Sequence, residues 1–416
     1  MSTLVQAGLL LLIASIPFEY PDRAIPLEIP TLTGAIFLLL TLLHPRKCYG
    51  RLPAAVLWFA GYLLIYLAAL LVGGEHAGEA IFEFIVVLQG VLVLLAAGNL
   101  MRDERVATRA LLVFVVACSA RASLPFLGFA RTTNTVWTGG ERVSALGQNA
   151  NSAAMILAAG MVTLIGLAYG HRHKTMVGMA VAAALGVLLG FAVLETGSRG
   201  GLLALLGGVL VFATATDTFR ARIRNGAIAL LAISLLVVGA FQLPLMKNRW
   251  EDSVLHGNLA GREQLYPALW TMFLEKPGLG WGPVTNTYEL ALRIGERDRP
   301  LRAAHNIVLE LLTATGIAGT IPFLVGAWLC VRNAWRGRRS PHGALPFALF
   351  CSVLISNMSG DWIASKLIWV VLAYAMASVA WAEAAQPDAP ARAPDRSSLW
   401  PAPGALRSAP ATLPRI

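Results

Sequence analysis

Apolar residues run along the chain in continuous blocks of Leu, Val, Ala and Ile separated by polar stretches. They do not alternate with polar residues over the roughly ten-residue length of a barrel strand, which excludes a transmembrane barrel. A helix needs about 20 residues to cross a hydrocarbon layer about 30 Å thick, and most blocks approach that length. They predict about twelve spans, near residues 4–16, 27–43, 53–73, 81–100, 106–122, 150–169, 175–194, 199–215, 226–243, 316–335, 343–358 and 362–382. The expected fold class is an all-α polytopic integral membrane protein, with a transmembrane unit over residues 1–383. Its largest polar interval, residues 244–315, is a partly helical loop between the ninth and tenth spans. The shorter runs, and those carrying Gly and Pro, leave room for one re-entrant segment.

Composition agrees: 56% hydrophobic against 13% charged residues in 416 excludes a soluble enzyme and a disordered chain. Basic residues occupy alternate loops: Arg46, Lys47 and Arg51; Arg102, Arg105 and Arg109; Arg172 and Lys174; Arg220, Arg222 and Arg224; Arg332, Arg336, Arg338 and Arg339. The short loops between them carry Glu75 and Glu79, Glu195 or Asp361 instead. Basic loops stay in the cytoplasm, so both termini are placed there and residues 244–315 on the outer face. Much of the net charge of +10 lies in those loops and in the C-terminal tail, where anionic headgroups suffice as partners; nucleic acid is not expected. The first run has neither a basic flank nor a cleavage pattern and reads as a retained span. Residues 384–416, rich in Pro, Ala, Ser and Arg, read as a disordered cytoplasmic tail. Cys48, Cys118, Cys330 and Cys351 have no metal or disulfide spacing, and His171 and His173 fall in a cytoplasmic loop as solvated residues. No internal repeat is evident.

Chemistry is therefore sought in the two long outer intervals, residues 123–149 and 244–315. Within Gly261–Phe273, Leu265, Leu269, Met272 and Phe273 recur at helical spacing, Arg262 stands at the start, and Lys276–Gly282 forms a turning run. This is either a helix laid on the membrane face of the protein or the carrier of a functional arginine. Ala304–Gly316 is a second helical pattern with His305 in its first turn, where unpaired amides and the helix dipole disfavour an imidazolium. A neutral imidazole serves as a general base; a hydrogen-bonded structural histidine is the other reading. Glu195–Gly201 is a short outer turn that puts Arg199 at the membrane boundary, either paired with Glu195 or gripping a phosphate.

Taken together, these stretches resemble the O-antigen ligase family, in the superfamily that also holds O-antigen polymerases and protein O-oligosaccharyltransferases. The pattern His-Asn, nine residues, Gly, two residues, Gly is met by His305, Asn306, Gly316 and Gly319. A Gly-Arg start, a Trp and a Pro-x-x-Gly-x-Gly end are met by Gly261, Arg262, Trp270, Pro277, Gly280 and Gly282. Ser198-Arg199-Gly200-Gly201 with Leu203 matches the short-turn arginine motif. Gly147-Gln148-Asn149-Ala150-Asn151 matches a Gly-x-Asn-Pro-Asn element in which Ala150 replaces the usual Pro.

The resemblance implies a GT-C-like glycosyltransferase of the bacterial inner membrane, active on its periplasmic side. It would move a polysaccharide from undecaprenyl diphosphate to a sugar of the lipid A-core, with inversion. His305 would be the general base, and Arg199 and Arg262 would bind the diphosphate. Arg142, Asn306, Arg302 and Asp361 are expected to bind substrate, Asp361 by orienting an arginine or the imidazole. Arg131 and Lys247 are either phosphate contacts or solvated charges. No cofactor is expected, and no metal, since no Asp-x-Asp motif or His/Cys cluster lies on that side. The alternatives are a polymerase or protein O-oligosaccharyltransferase of the same superfamily and, from another class, a transporter or flippase of lipid-linked oligosaccharide, which would place its charges near the midplane.

Overall fold

The computed structural model describes residues 3–19, 28–73, 76–133, 142–145, 148–170, 175–215, 219–257, 259–296, 301–360 and 363–384. Asp361, Gly147, His171, His173 and the tail beyond residue 384 lie outside them, as does the Arg131 side chain. The chain is organised as helices α1 (Thr3–Ser15), α2 (Ile29–Thr41), α3 (Pro45–Tyr49), α4 (Ala54–Gly73), α5 (Ala77–Leu100) and α6 (Glu104–Ser123). A hairpin follows, β1 (Ala130–Thr133) and β2 (Arg142–Ala145), then α7 (Ala150–Gly170), α8 (Met176–Glu195), α9 (Arg199–Thr214) and α10 (Phe219–Gln242). The outer loop holds α11 (Pro244–His256), α12 (Arg262–Glu275) and α13 (Thr285–Arg293), and α14 (Ile307–Arg336), α15 (Leu345–Asn357) and α16 (Lys366–Ala384) complete the fold.

Among the described residues, eight helices are long and apolar enough to cross a membrane: α4 to α8, α10, α14 and α16. Thr3–Phe18, Ile29–Thr41, Arg199–Phe212 and Leu345–Asn357 are shorter apolar helices, and each predicted run falls on one of these twelve segments. The chain is a helical, multi-pass membrane protein. α16 is mostly buried and α10 mostly exposed, so α16 is central and α10 peripheral. Trp369 of α16 meets Phe59 of α4 edge-on at 5.3 Å, whereas Leu230, Leu231, Leu235 and Val238 of α10 are exposed, a surface suited to lipid and not to water.

The all-α class holds, with one local addition: a short antiparallel ladder, Ala130 opposite Ala145 through Thr133 opposite Arg142, in an interval that composition marks only as polar. The helix expected near Ala304–Gly316 and the tenth span are two helical segments of α14 that meet at a kink at Gly316 (φ 63°, ψ −166°), the first of them starting at Ile307. The break frees backbone groups that the Pro277–Gly282 turn takes up. Trp281 N–H donates to Thr313 O (2.8 Å) and Gly282 N–H to Ala314 O (3.1 Å). In return Ile317 N–H donates to Pro277 O (2.8 Å) and Ala318 N–H to Gly278 O (3.2 Å). A Cβ on Gly316 would lie 2.2 Å from Gly278 O, and one on Gly280 2.5 Å from Thr313 O. Two of the glycine motifs thus form one backbone clasp.

The clasp presses α12 onto the outer half of α14. Leu265, Leu269 and Met272 bury against Leu290 of α13 and Ala304, with Leu309 and Trp281 packed around them. The apolar face of α12 closes a small core within the outer loop rather than lying on the bilayer.

Candidate active site

The start of α9 is built for close approach. Ser198 caps the helix, its Oγ accepting from Gly201 N–H (3.2 Å) and donating to Asn151 Oδ1 (3.1 Å). A Cβ on Gly200 would lie 2.1 Å from Ser359 Oγ, and one on Gly201 2.4 Å from Ala154 Cβ. Arg199, the first helical residue, therefore projects beside the Met358–Gly360 turn that follows α15. Its Nη1 donates to the main-chain oxygen of Arg249 in α11 (2.9 Å). Arg262 opens α12 after Gly261, whose φ of 83° suits glycine. Its Nη2 donates to Ser359 O (3.0 Å) and its Nη1 to Leu259 O (3.2 Å). Its Nε is buried without a hydrogen-bond partner among the described residues.

Arg142 completes this corner from β2. Its Nε donates to Thr196 O (2.8 Å) and its Nη2 to the same Asn151 Oδ1 (2.8 Å), so it ties the hairpin to both the α8–α9 turn and the start of α7. Burial lowers its pKa to about 9, with Arg249, Arg262 and Arg199 adding to the effect. Arg249 is lowered to about 10, again mainly by burial and then by Arg199 and Arg262, with Asp252 opposing. Arg142 and Arg249 remain protonated at neutral pH, and repulsion among the guanidinium groups of the corner is what a multiply charged anion relieves.

His305 does not lie in the first turn of α14 as predicted. Asn306 is the N-cap, its Oδ1 accepting from Val308 N–H (3.0 Å) and Leu309 N–H (3.2 Å), and His305 precedes it with φ 52°. The dipole argument for a neutral imidazole therefore weakens, because the side chain leaves the chain before the helix begins. A different device holds it. Tyr266, one turn after Arg262 on α12, shares its hydroxyl between His305 O (3.3 Å) and Met358 O (3.2 Å). One helical turn, about 6 Å, thus fixes Arg262 and the His305 backbone against the same turn.

His305 borders a cavity of about 800 Å³, together with Arg302, Asn151, Ser152, Ser359 and Glu79. Arg199 and Arg262 are not among the residues lining it; Arg262 meets its wall through the Ser359 carbonyl. Arg302 pairs with Glu296 at 3.5 Å, and its Nε is buried without a hydrogen-bond partner among the described residues. The positive-φ residues other than glycine, among those described, are Ala260, Val284 and His305. Two border the cavity and the third lies two residues before Arg262, a clustering of backbone strain typical of functional sites.

The expected residues thus fall into groups. Arg142, Arg199 and Arg262 converge, and His305 and Arg302 share the adjoining cavity. Asn306 spends its side-chain oxygen on a helix cap, Lys247 is half-exposed beside Glu251 (3.8 Å), and Asp361 is not described. Sequence reasoning overlooked Arg249, Tyr266 and Ser359. Tyr266 had a visible signal, since its spacing from Arg262 puts both on one face of a predicted helix.

Residues 183–324 match the family model described as O-antigen ligase (Wzy_C). The matched segment is similar to the O-antigen ligase family and holds Arg199, Arg249, Arg262, Tyr266, Arg302 and His305, while Arg142, Asn151, Ser152 and Ser359 lie outside it. The match supports ligase- or polymerase-type activity on O-antigen in general. No curated protein matches the chain.

Proposed function

We propose that the protein moves a polysaccharide from undecaprenyl diphosphate to a sugar of the lipid A-core in the bacterial inner membrane. The observation that carries this reading is the excess of guanidinium groups, Arg142, Arg199, Arg249 and Arg262, beside the helical turn that also fixes His305. Such a corner suits a lipid diphosphate, a leaving group that gathers negative charge as it departs. Twelve crossings in a GT-C-like arrangement, with both termini cytoplasmic, would place the corner at the periplasmic face, and the alternation of basic loops supports that orientation.

In the proposed reaction the anomeric C–O bond breaks and its electron pair passes to the diphosphate oxygen, where Arg199 and Arg262 stabilise it. The acceptor hydroxyl oxygen forms the new bond from the opposite face, and its proton goes to the His305 imidazole. One such displacement inverts the anomeric centre without a covalent enzyme intermediate. Arg142 sets the corner's geometry and field, Arg302 meets phosphates of the acceptor core, and Asp361 orients the charged groups. Asn306 acts by presenting His305 at the head of α14.

The test is transfer by purified protein supplied with carrier-linked glycan and lipid A-core. His305→Ala, Arg199→Ala and Arg262→Ala should insert normally and lose at least about 10²-fold in rate. Undiminished turnover in His305→Ala removes the general-base role. Lipopolysaccharide from a deletion strain separates ligase from polymerase: unsubstituted core is expected, and core bearing a single repeat would move the reaction to the polymerase branch.

A further inference from the structure

The cavity beside His305 has an acidic wall that the proposed reaction leaves without a task. Glu79 and Glu83 stand four residues apart on α5, on one face of the helix, and both border the cavity. Glu79 is preset: Tyr288 Oη lies 3.1 and 3.2 Å from its two oxygens, and the Tyr288 ring stacks on His76 at 3.7 Å. One phenol supplies one hydrogen, whereas an ionised carboxylate offers about four acceptor sites, so Glu79 keeps most of its capacity for a guest.

Ser152 of α7 gives an independent sign of a ligand. It is 1% exposed, its Oγ makes no hydrogen bond among the described residues, and it borders the same cavity. Buried hydroxyls are ordinarily paired, so this one is left for a polar group that arrives with a ligand.

Neighbouring carboxylates repel phosphate and accept hydrogen bonds, the reverse of the arginine corner. A group dense in O–H donors and free of phosphate fits such a wall, which is the chemistry of a saccharide. The geometry points to Glu79, Glu83 and Ser152 as the subsite for the phosphate-free sugar of the lipid A-core that accepts the polysaccharide. Its hydroxyls donate to the two carboxylates and exchange a hydrogen bond with Ser152 Oγ, which holds the attacking sugar near His305. This assignment rests on the transferase reading.

Equilibrium binding of lipid A-core to the purified full-length protein, without any donor, tests the subsite apart from the chemistry. The dissociation constant should rise about tenfold in the Glu79→Gln, Glu83→Gln double variant and severalfold in Ser152→Ala. Ser152→Ala should melt at no lower temperature than the wild type, since it removes a hydroxyl with no hydrogen-bond partner among the described residues; a merely structural serine would lower the melting temperature. Unchanged affinity in both variants overturns the assignment, as does a wild-type protein that does not bind lipid A-core. Binding that depends on the glutamates in a protein that forms no glycosidic bond would uphold the subsite and sink the transferase reading instead.

Discussion

At the scale of single residues, His305 carries a φ of 52°, which costs roughly 1–2 kcal/mol for an L-residue. Surroundings must hold it there. Asn306 caps the helix behind it and the Tyr266 hydroxyl reaches its carbonyl, but both anchors depend on the outer half of α14 lying where the Gly316 clasp puts it. Gly316→Ala should therefore act at a distance. The added methyl combines an unfavourable φ with a clash against Gly278 O, and destabilisation of about 1–3 kcal/mol is expected, with transfer impaired as His305 is displaced. Thermal unfolding in detergent checks the first effect and the purified transfer assay the second; a variant with wild-type melting would mean that the clasp carries no strain.

At the scale of elements, α12 and α13 are joined by Arg293, whose Nη2 meets Glu275 at 2.6 Å and whose Nε meets Glu289 at 2.7 Å. The Arg293 hydrogen bond holds the Glu275 carboxyl below its ordinary value, against some desolvation. A carboxylate depressed in this way stabilises the fold fully above its unfolded pKa of about 4.3 and ceases to as pH falls through the lower folded value. Amides of α12 and α13 should lose protection in that acid window, after correction for intrinsic exchange, and Arg293→Ala should abolish the acid step. Retention of the step in that variant would assign it to another group. The apolar face of α12 was legible in the sequence because helical spacing records which side is buried. What it is buried against was not, since the partners Leu290 and Ala304 are separated from it by a turn whose backbone pairing leaves no trace in hydropathy. The β1–β2 hairpin was illegible for a similar reason: four-residue strands are too short for alternation to register.

For the whole molecule, apolar runs fall on the eight helices long enough to cross a membrane and on four shorter apolar ones, because the bilayer imposes length and composition together, and the short-turn motif revealed Arg199. Arg249 went unread because it lies inside an ordinary amphipathic stretch, and only the fold brings it against the arginines of α9 and α12. Their assembly has a consequence that can be measured without substrate. Burial first, and then the neighbouring guanidinium groups, depress Arg142 and Arg249, which costs the empty protein stability, and an anion spanning the corner should return part of that energy. Inorganic pyrophosphate at about a hundred times its dissociation constant should stabilise the protein by about 2.7 kcal/mol, seen as a raised melting temperature. Orthophosphate should do less, because it spans fewer donors, and added salt should weaken both to the extent that the corner is open to solvent. Combining Arg199→Ala with Arg262→Ala should remove the pyrophosphate shift, since it takes away the donors that the anion would span. A pyrophosphate shift that survives this double substitution would locate the anion elsewhere, and its absence in the wild type would leave the arginine corner a structural knot rather than a binding site.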